Sequence, residues 1–167
     1  MCGIAGIITP NARNYTDEIQ KMTRAIAHRG PDAEHHEFSE NAALGHRRLS
    51  IVDLSETGKQ PMFSNTRKEC IVFNGEIYGY QNIKKDFANY PYRGSSDTEI
   101  ILAMYQKKGK SLLSELPGMF AFAIWDEEKQ QLFCARDRFG EKPFYYAIGK
   151  NGEFIFASEI KAILASG

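Results

Sequence analysis

The chain has 167 residues, in which 21 Lys and Arg side chains balance 21 Asp and Glu side chains. A formal charge of zero argues against electrostatic binding of nucleic acid or of an anionic membrane surface. Three cysteines cannot all pair within the chain and are too few for a disulfide scaffold, and apolar runs such as residues 4–8 are too short to span a bilayer. We therefore expect a cytoplasmic protein with reduced thiols, folded as one domain over residues 1–167.

The first residues of the chain, Met1-Cys2-Gly3, place a cysteine directly after the initiator methionine. Removal of Met1 would leave Cys2 with both a thiol and a free α-amine, which combines a nucleophile and a base in one residue. Their ordinary pKa values, ~8.5 and ~7.7–8.0, lie close enough for the amine to take the thiol proton directly or through one water. A cysteine at this position is usually an accident of sequence, so the rest of the chain has to decide.

The first half of the chain predicts a strand, a helix and then mainly strands. Residues 4–8 form a β-branched run that ends at Pro10-Asn11 and would anchor Cys2 at its start. A helix is predicted after Thr16, followed by strands over 34–38, 43–48 and 70–73. Asn74-Gly75 between two apolar runs is the strongest short signal for a hairpin turn.

The second half predicts two helices and then an antiparallel meander. A helix over 81–87 is followed by one that Ser96 and Glu99 would open as a capping box, with Asp97 in its first turn and Gly109 at its end. The remaining apolar runs are separated by turn signals and are followed by a final helix over 158–164; they cover residues 119–125, 132–136, 144–148 and 153–157. Strands grouped at both ends, without βαβ alternation, indicate an α+β fold of layered antiparallel sheets.

Several polar residues could assist an N-terminal thiol that attacks a carboxamide. Asn74 and the Gly75 N–H could stabilise an oxyanion, although the pair also reads as an ordinary turn. Arg48 could clamp a carboxylate, or it could simply solvate a strand edge. Asp97 could pair with an ammonium group, or it could only complement a helix dipole. Together these groups meet the requirements for hydrolysing the side-chain amide of a free amino acid, of which glutamine is the obvious example.

Blocks of sequence along the whole chain resemble the glutaminase domain of class II glutamine amidotransferases, in its asparagine synthetase form. This family belongs to the N-terminal-nucleophile (Ntn) hydrolases. The matching blocks, in order along the chain, are residues 1–4, 28–32, 45–53, 73–78, 95–99, 116–122 and 136–140. The resemblance implies a four-layer αββα sandwich, with helices outside two stacked antiparallel sheets.

The resemblance also implies a role for each matching position. It implies that Cys2 is the nucleophile, that its α-amine is the base, and that Asn74 and Gly75 form the oxyanion hole. It assigns the substrate contacts to Arg48 for the α-carboxylate, Asp97 and Glu76 for the α-ammonium, and Leu49, Ile51 and Val52 for the pocket wall. We expect no metal site, because the four histidines lack ligand spacing with cysteines. Cys70 and Cys134 are expected to be core residues.

Family members pass ammonia to a synthetase domain that uses ATP and magnesium, and these 167 residues contain no glycine-rich phosphate loop. We therefore expect either a C-terminal synthetase domain in the full protein, which could form a homodimer, or a separate ammonia-accepting synthetase. Aspartate is the leading acceptor; a sugar, a peptide or an antibiotic precursor is the alternative. Two further readings stay open, namely an N-terminal-cysteine hydrolase of another amide and a catalytically silent docking domain.

Overall fold

The computed structural model describes residues 1–50 and 55–167. Within these ranges the chain forms nine strands and four α-helices, joined by short 3-10 turns. The strands are β1 (Gly3–Ile8), β2 (Ala33–Phe38), β3 (Ala42–Arg48), β4 (Met62–Phe63), β5 (Glu69–Ile77), β6 (Gly118–Asp126), β7 (Gln131–Arg136), β8 (Tyr145–Ile148) and β9 (Phe154–Ala157). The helices are α1 (Thr16–Ala25), α2 (Tyr80–Asp86), α3 (Thr98–Lys108) and α4 (Ile160–Leu164).

The strands make two antiparallel sheets. The first has the order β2-β3-β1-β9-β8, so β1 lies in its centre, and the second has the order β4-β5-β6-β7. The predicted α+β class with two antiparallel sheets is confirmed. None of the helices in the described ranges is long and apolar enough to cross a membrane.

The alternation of side chains along the strands accounts for the layers. In β1, Ile7 packs with α1 and α4, whereas Ile4 packs between the two sheets. In β5, Val72 lies between the sheets, whereas Phe73 packs against α3. Because successive side chains of a strand point to opposite faces, each sheet is buried on both sides and the layers run helix, sheet, sheet, helix. This order agrees with the expected αββα sandwich.

The expected hairpin at Asn74-Gly75 is wrong, because both residues lie inside the continuous strand β5. Gly75 is required there by close packing and not by a turn. A Cβ atom added at Gly75 would lie 2.3 Å from the carbonyl oxygen of Met119 on the neighbouring strand. An Asn-Gly pair selected for close strand contact has the same local pattern as one selected for a turn.

The predicted meander is also wrong as one continuous element. β6 and β7 belong to the second sheet, whereas β8 and β9 belong to the first. The segment from Asp137 to Phe144 therefore crosses between the sheets. Local turn signals mark where a strand ends but do not say which sheet the chain joins next.

The start of α3 differs from the predicted capping box. Asp97 is the N-cap residue and does not lie in the first turn. Glu99 does not reach back to Ser96; its carboxylate accepts hydrogen bonds from the N–H groups of Arg93 and Gly94, at 3.0 and 2.9 Å. Glu99 therefore fixes the loop that precedes the helix, and the Asp97 carboxylate is left for a different contact.

Candidate active site

The N-terminal segment is held by residues from distant parts of the chain. The Ile4 N–H donates to Ser158 Oγ at 3.0 Å, and the Ser158 N–H donates to the Ile4 carbonyl at 2.9 Å. Arg29 Nε donates to the Cys2 carbonyl at 3.0 Å, and Arg29 Nη1 bonds Glu159 at 3.0 Å. The backbone of Cys2 is thus fixed up to the first residue of β1, which fits the expected anchoring of the thiol.

A cavity of about 170 Å³ opens beside Cys2. Two sets of backbone and side-chain groups line it, from the end of β3 on one side and from β5 and the start of α3 on the other. The predicted site residues that line it are Cys2, Arg48, Leu49, Asn74, Gly75, Glu76 and Asp97. Ile51 and Val52, also predicted for this pocket, lie outside the described residues.

The Cys2 thiol faces this cavity in a mostly buried position. The Leu49 N–H donates to Sγ at 3.5 Å, and Sγ lies 3.7 Å from the Leu49 carbonyl oxygen. Burial raises the pKa of the Cys2 thiol, while the Leu49 N–H, the N-terminal ammonium and the Arg48 guanidinium act in the opposite direction. A thiol with a raised pKa is mainly protonated at neutral pH, so it needs a base close by to become a nucleophile.

Asn74 supplies a buried hydrogen-bond donor to the same cavity. Its side chain is 1% exposed, and its Nδ2 atom has no hydrogen-bond partner among the described residues. A buried amide group without a partner is costly, typically by about 1–3 kcal/mol, and such a group is expected to serve a ligand. Asn74 is therefore suited to bind an oxygen that arrives with a substrate.

The register of β5 turns the Gly75 N–H in a useful direction. Gly75 faces Phe120 across the two strands. The Phe120 N–H donates to Asp137 Oδ2, and the Phe120 carbonyl accepts from the Asp137 N–H, so both groups of Phe120 point away from β5. In an antiparallel ladder this makes a pair without mutual hydrogen bonds. The Gly75 N–H consequently points away from β6, towards the edge of the sheet where the cavity opens.

The neighbouring N–H groups on that edge are already occupied by side chains. The Phe73 N–H donates to Gln60 Oε1 at 2.6 Å, and the Ile77 N–H donates to Asp97 Oδ2 at 3.0 Å. Gly75 lies between these two positions, and its N–H faces the cavity that Gln60 and Asp97 also line. The arrangement presents one backbone donor and the Asn74 amide to the same space.

The charged residues predicted to bind substrate line the same cavity as this pair of donors. Arg48 is 8% exposed, and its Nη1 donates to the Ser55 carbonyl at 3.0 Å. Asp97 is 5% exposed, and burial raises the pKa of its carboxyl, although backbone N–H groups partly compensate. Glu76 is exposed at the cavity rim. A guanidinium on one side of the cavity and two carboxylates on the other match the two charged groups of a free amino acid.

Gln60 and Lys142 are among the cavity residues that were not predicted from the sequence. Gln60 bridges β5 and α3, because its Oε1 accepts from Phe73 and its Nε2 donates to Thr98 at 3.2 Å. Lys142 belongs to the segment that crosses between the sheets, and its Nζ lies 3.2 Å from Met1 Sδ. Gln60 stands in no motif, whereas Lys142 lies two residues after the matching block that ends at Gly140.

The matching block over residues 28–32 supports the side of the cavity that carries Arg48. The Asp32 carboxylate accepts from the Ser50 N–H at 2.7 Å, and the Asp32 N–H donates to the Arg48 carbonyl at 3.1 Å. The loop before β2 thus supports the backbone that carries Arg48 and Leu49.

Cys70 is buried and Cys134 is partly buried, as expected of core residues; burial raises the pKa of Cys134 to about 12.

Comparison with known proteins gives matches that cover nearly all of this chain. The sequence model of the glutamine amidotransferase domain matches residues 1–167. A putative glutamine-hydrolysing asparagine synthetase of Methanocaldococcus jannaschii is 45% identical over 183 residues, covering 99% of this chain and 35% of that protein. The glutamine-hydrolysing asparagine synthetase B of Escherichia coli is 39% identical over 167 residues, covering 98% of this chain and 30% of the Escherichia coli protein.

A third relative carries a different name. The amidase chry2 of Gibberella zeae is 42% identical over 181 residues, covering 100% of this chain and 27% of that protein. The chain therefore spans only about a third or less of the length of the curated relatives that it matches.

Proposed function

The chain belongs to the glutamine amidotransferase domain family, and from this premise we propose that it hydrolyses L-glutamine to glutamate and ammonia through a thioester on Cys2. The unpartnered Nδ2 atom of Asn74, in the cavity that Cys2 also lines, is the observation that carries the proposal. Together with the Gly75 N–H it forms a pair of donors that have no acceptor among the described residues. Such a pair has a chemical use where a carbonyl oxygen gains negative charge.

In the proposed first half of the reaction, the free α-amine of Cys2 takes the thiol proton and Sγ attacks the carboxamide carbon of glutamine. The carbonyl oxygen becomes an oxyanion and is held by Asn74 and Gly75. When the carbon–nitrogen bond breaks, the α-ammonium returns the proton to the leaving nitrogen, so that ammonia departs and a γ-glutamyl thioester remains.

In the second half, the neutral α-amine takes a proton from a water molecule, which adds to the thioester carbon. The same two donors stabilise the second oxyanion. Breaking of the carbon–sulfur bond releases glutamate, and the proton returns to Sγ. Each cycle forms an oxyanion twice, and the same donors have to stabilise it both times, so it is an advantage that a strand holds them rigidly.

Recognition of the free amino acid is proposed for the charged residues of the cavity. Arg48 would bind the α-carboxylate, while Asp97 and Glu76 would meet the α-ammonium. Two methylene groups separate the charged α-carbon centre of the substrate from its carboxamide, so this clamp would place the carboxamide within reach of Cys2. Leu49, Ile51 and Val52 are proposed to complete the wall.

The proposed function requires removal of Met1, because an α-amine that is part of a peptide bond is not a base. Intact mass of the active protein is expected to lack one methionine, and the protein is expected to release glutamate from L-glutamine. L-Asparagine is the matched control substrate, since it is one methylene shorter and would not reach from the clamp to Cys2. A fully active protein that retains Met1 would contradict the α-amine mechanism.

Replacing Arg48 is expected to weaken glutamine binding and to leave turnover nearly unchanged. The guanidinium meets the α-carboxylate equally in the ground and transition states, so its loss raises KM and not the barrier of the bound complex. For Arg48→Ala we expect KM to rise about 10- to 100-fold, which corresponds to a charge-assisted contact of ~1.5–3 kcal/mol.

Arg48→Lys is the matched control for that variant, since it keeps the charge but not the planar fork. Its KM is expected to fall between those of the wild type and Arg48→Ala in steady-state kinetics at saturating and subsaturating glutamine. A fall in kcat with unchanged KM in either variant would remove Arg48 from the proposed clamp.

For the whole protein we propose that the ammonia is used in an ATP- and magnesium-dependent amidation, with aspartate as the leading acceptor. Two of the relatives described are named glutamine-hydrolysing asparagine synthetases, which supports this assignment. The relative named an amidase supports the alternative, a different acceptor. Formation of asparagine by the full-length protein from glutamine, aspartate and ATP distinguishes the two.

A further inference from the structure

Lys142 is a buried cation at the wall of the Cys2 cavity, with no counterion in the described part of the chain. It is 7% exposed, and within that part no carboxylate lies within 4.0 Å of its Nζ. The partner of Nζ is the thioether of Met1, at 3.2 Å. A buried charge is costly unless it is paired or serves a function, and a thioether is a weak acceptor. Lys142 therefore calls for an explanation that Met1 does not supply.

The segment that carries Lys142 is held by a dense set of backbone contacts. The Asp137 carboxylate accepts from the N–H groups of Phe139, Glu141 and Lys142, at 3.1, 3.0 and 3.0 Å. Arg136 Nε donates to the Lys142 carbonyl at 2.7 Å. With both its N–H and its carbonyl fixed, the backbone of Lys142 has a defined position beside the cavity, and the ammonium group is directed by the fold.

Lys142 lines the same cavity as Cys2, whose α-amine appears when Met1 is removed. Met1 is joined directly to the Cys2 nitrogen, and the Sδ atom of its side chain contacts Nζ of Lys142. Loss of Met1 removes this contact and creates the Cys2 α-amine in the same corner of the cavity. The ammonium of Lys142 then faces a group that is either a second cation or a neutral base.

We propose that Lys142 is a positioning residue that keeps the α-amine of mature Cys2 in its neutral, basic form. A neighbouring positive charge disfavours the protonated amine and lowers its pKa. The mechanism proposed above needs this amine unprotonated before each attack, so a lowered pKa increases the active fraction at neutral pH. This inference rests on the proposed function, because it concerns the base of that reaction.

Other charged groups of the cavity act on the same amine and set the size of the effect. In the described part of the chain, Arg48 from β3 acts in the same direction as Lys142, whereas Glu76 and Asp97 act in the opposite direction. Arg29 approaches from behind and bonds the Cys2 carbonyl, with Glu159 as its own counterion. Glu76 and Asp97 are the proposed partners of the substrate ammonium, and Arg48 is the proposed partner of its carboxylate. Bound glutamine would therefore neutralise these three side chains and leave the charge of Lys142 acting on the amine.

The test compares Lys142→Met with Lys142→Arg in the processed protein. The methionine keeps a long, unbranched side chain but removes the charge, whereas the arginine keeps the charge. In Lys142→Met we expect the acid limb of the kcat/KM profile to move to higher pH by about 0.5–1 unit, because the amine holds its proton more tightly. Lys142→Arg is expected to stay near the wild-type profile. The α-amine and thiol titrate as a coupled pair, and removal of a cation shifts both in this direction.

A second readout does not depend on activity. Protein labelled with 13C-cysteine reports the ionisation of Cys2 through its Cα and Cβ shifts, and the same upward move is expected there for Lys142→Met alone. An unchanged titration in Lys142→Met would overturn the proposal, as would an equal shift in Lys142→Arg. If wild-type protein fails to hydrolyse glutamine but the NMR shift is seen, the proposed function fails, whereas the effect of Lys142 on the ionisation of Cys2 stands.

Discussion

Replacing Cys2 by Ala is expected to reduce glutamine hydrolysis to the uncatalysed background. In the proposed mechanism the thiol forms the covalent bond to substrate in every cycle, so no other group of the cavity can replace it. We expect the turnover to fall by at least about 10³-fold, since removal of a nucleophile that acts together with its base removes the function of both. The measurement is glutamate release from glutamine under single-turnover conditions.

Cys134→Ala provides the matched control for the loss of a thiol. Burial raises the pKa of Cys134 to about 12, so this thiol stays protonated at neutral pH, and its replacement should leave kcat unchanged. Iodoacetamide should modify Cys2 and inactivate the wild type, and glutamine should protect it. Full activity of Cys2→Ala would mean that glutamine hydrolysis does not use this thiol, and it would contradict the thioester proposal.

Asn74→Ala is expected to lower kcat by about 10²–10³-fold with little change in KM. The Asn74 amide has no acceptor among the described residues, so it has most to gain when the substrate oxygen becomes negative. A contact that strengthens only in the transition state appears in turnover and not in binding. Steady-state kinetics that separate kcat from KM provide the measurement.

Asn82→Ala is the matched control, because Asn82 is exposed on α2 and away from the cavity. Its activity should equal that of the wild type. Asn74→Ala removes a buried Nδ2 atom that has no partner among the described residues, so its stability is expected to be close to that of the wild type, and thermal unfolding should exclude a folding defect. Undiminished kcat in folded Asn74→Ala would remove Asn74 from the proposed oxyanion hole.

The layers of the fold could be predicted from the sequence because apolar periodicity reports which faces of an element are buried. The strand before Pro10 and the helix that ends at Gly109 follow from such patterns and lie close to their expected bounds. The pairing of strands is different, since it depends on contacts between distant residues. The crossing after β7 shows this, because the turn at Phe139-Gly140 has the residues of a hairpin but leads to the other sheet.

The placement of the site was predictable only in part for a related reason. The resemblance supplied the residues that line the cavity, but Asn74 and Gly75 read locally as a turn. Their actual geometry comes from the register with β6, in which Phe120 turns its polar groups to Asp137 and leaves the Gly75 N–H on the open edge. Lys142 and Gln60 could not be found by spacing, because they reach the cavity from segments that are remote in sequence.

The contacts that hold the start of the chain also determine when the site can exist during synthesis. Cys2 lies at the start of these 167 residues, yet its backbone is held through Ile4 by Ser158 and through Arg29 by Glu159, from near their end. β1 pairs with β9 on one side, so its final neighbour also comes from near residue 157. A nascent chain that has not yet released these residues from the ribosome exposes Cys2 but has not assembled the cavity. Methionine removal can therefore precede folding of the cavity, and the proposed glutamine hydrolysis would begin only when this whole segment has been made.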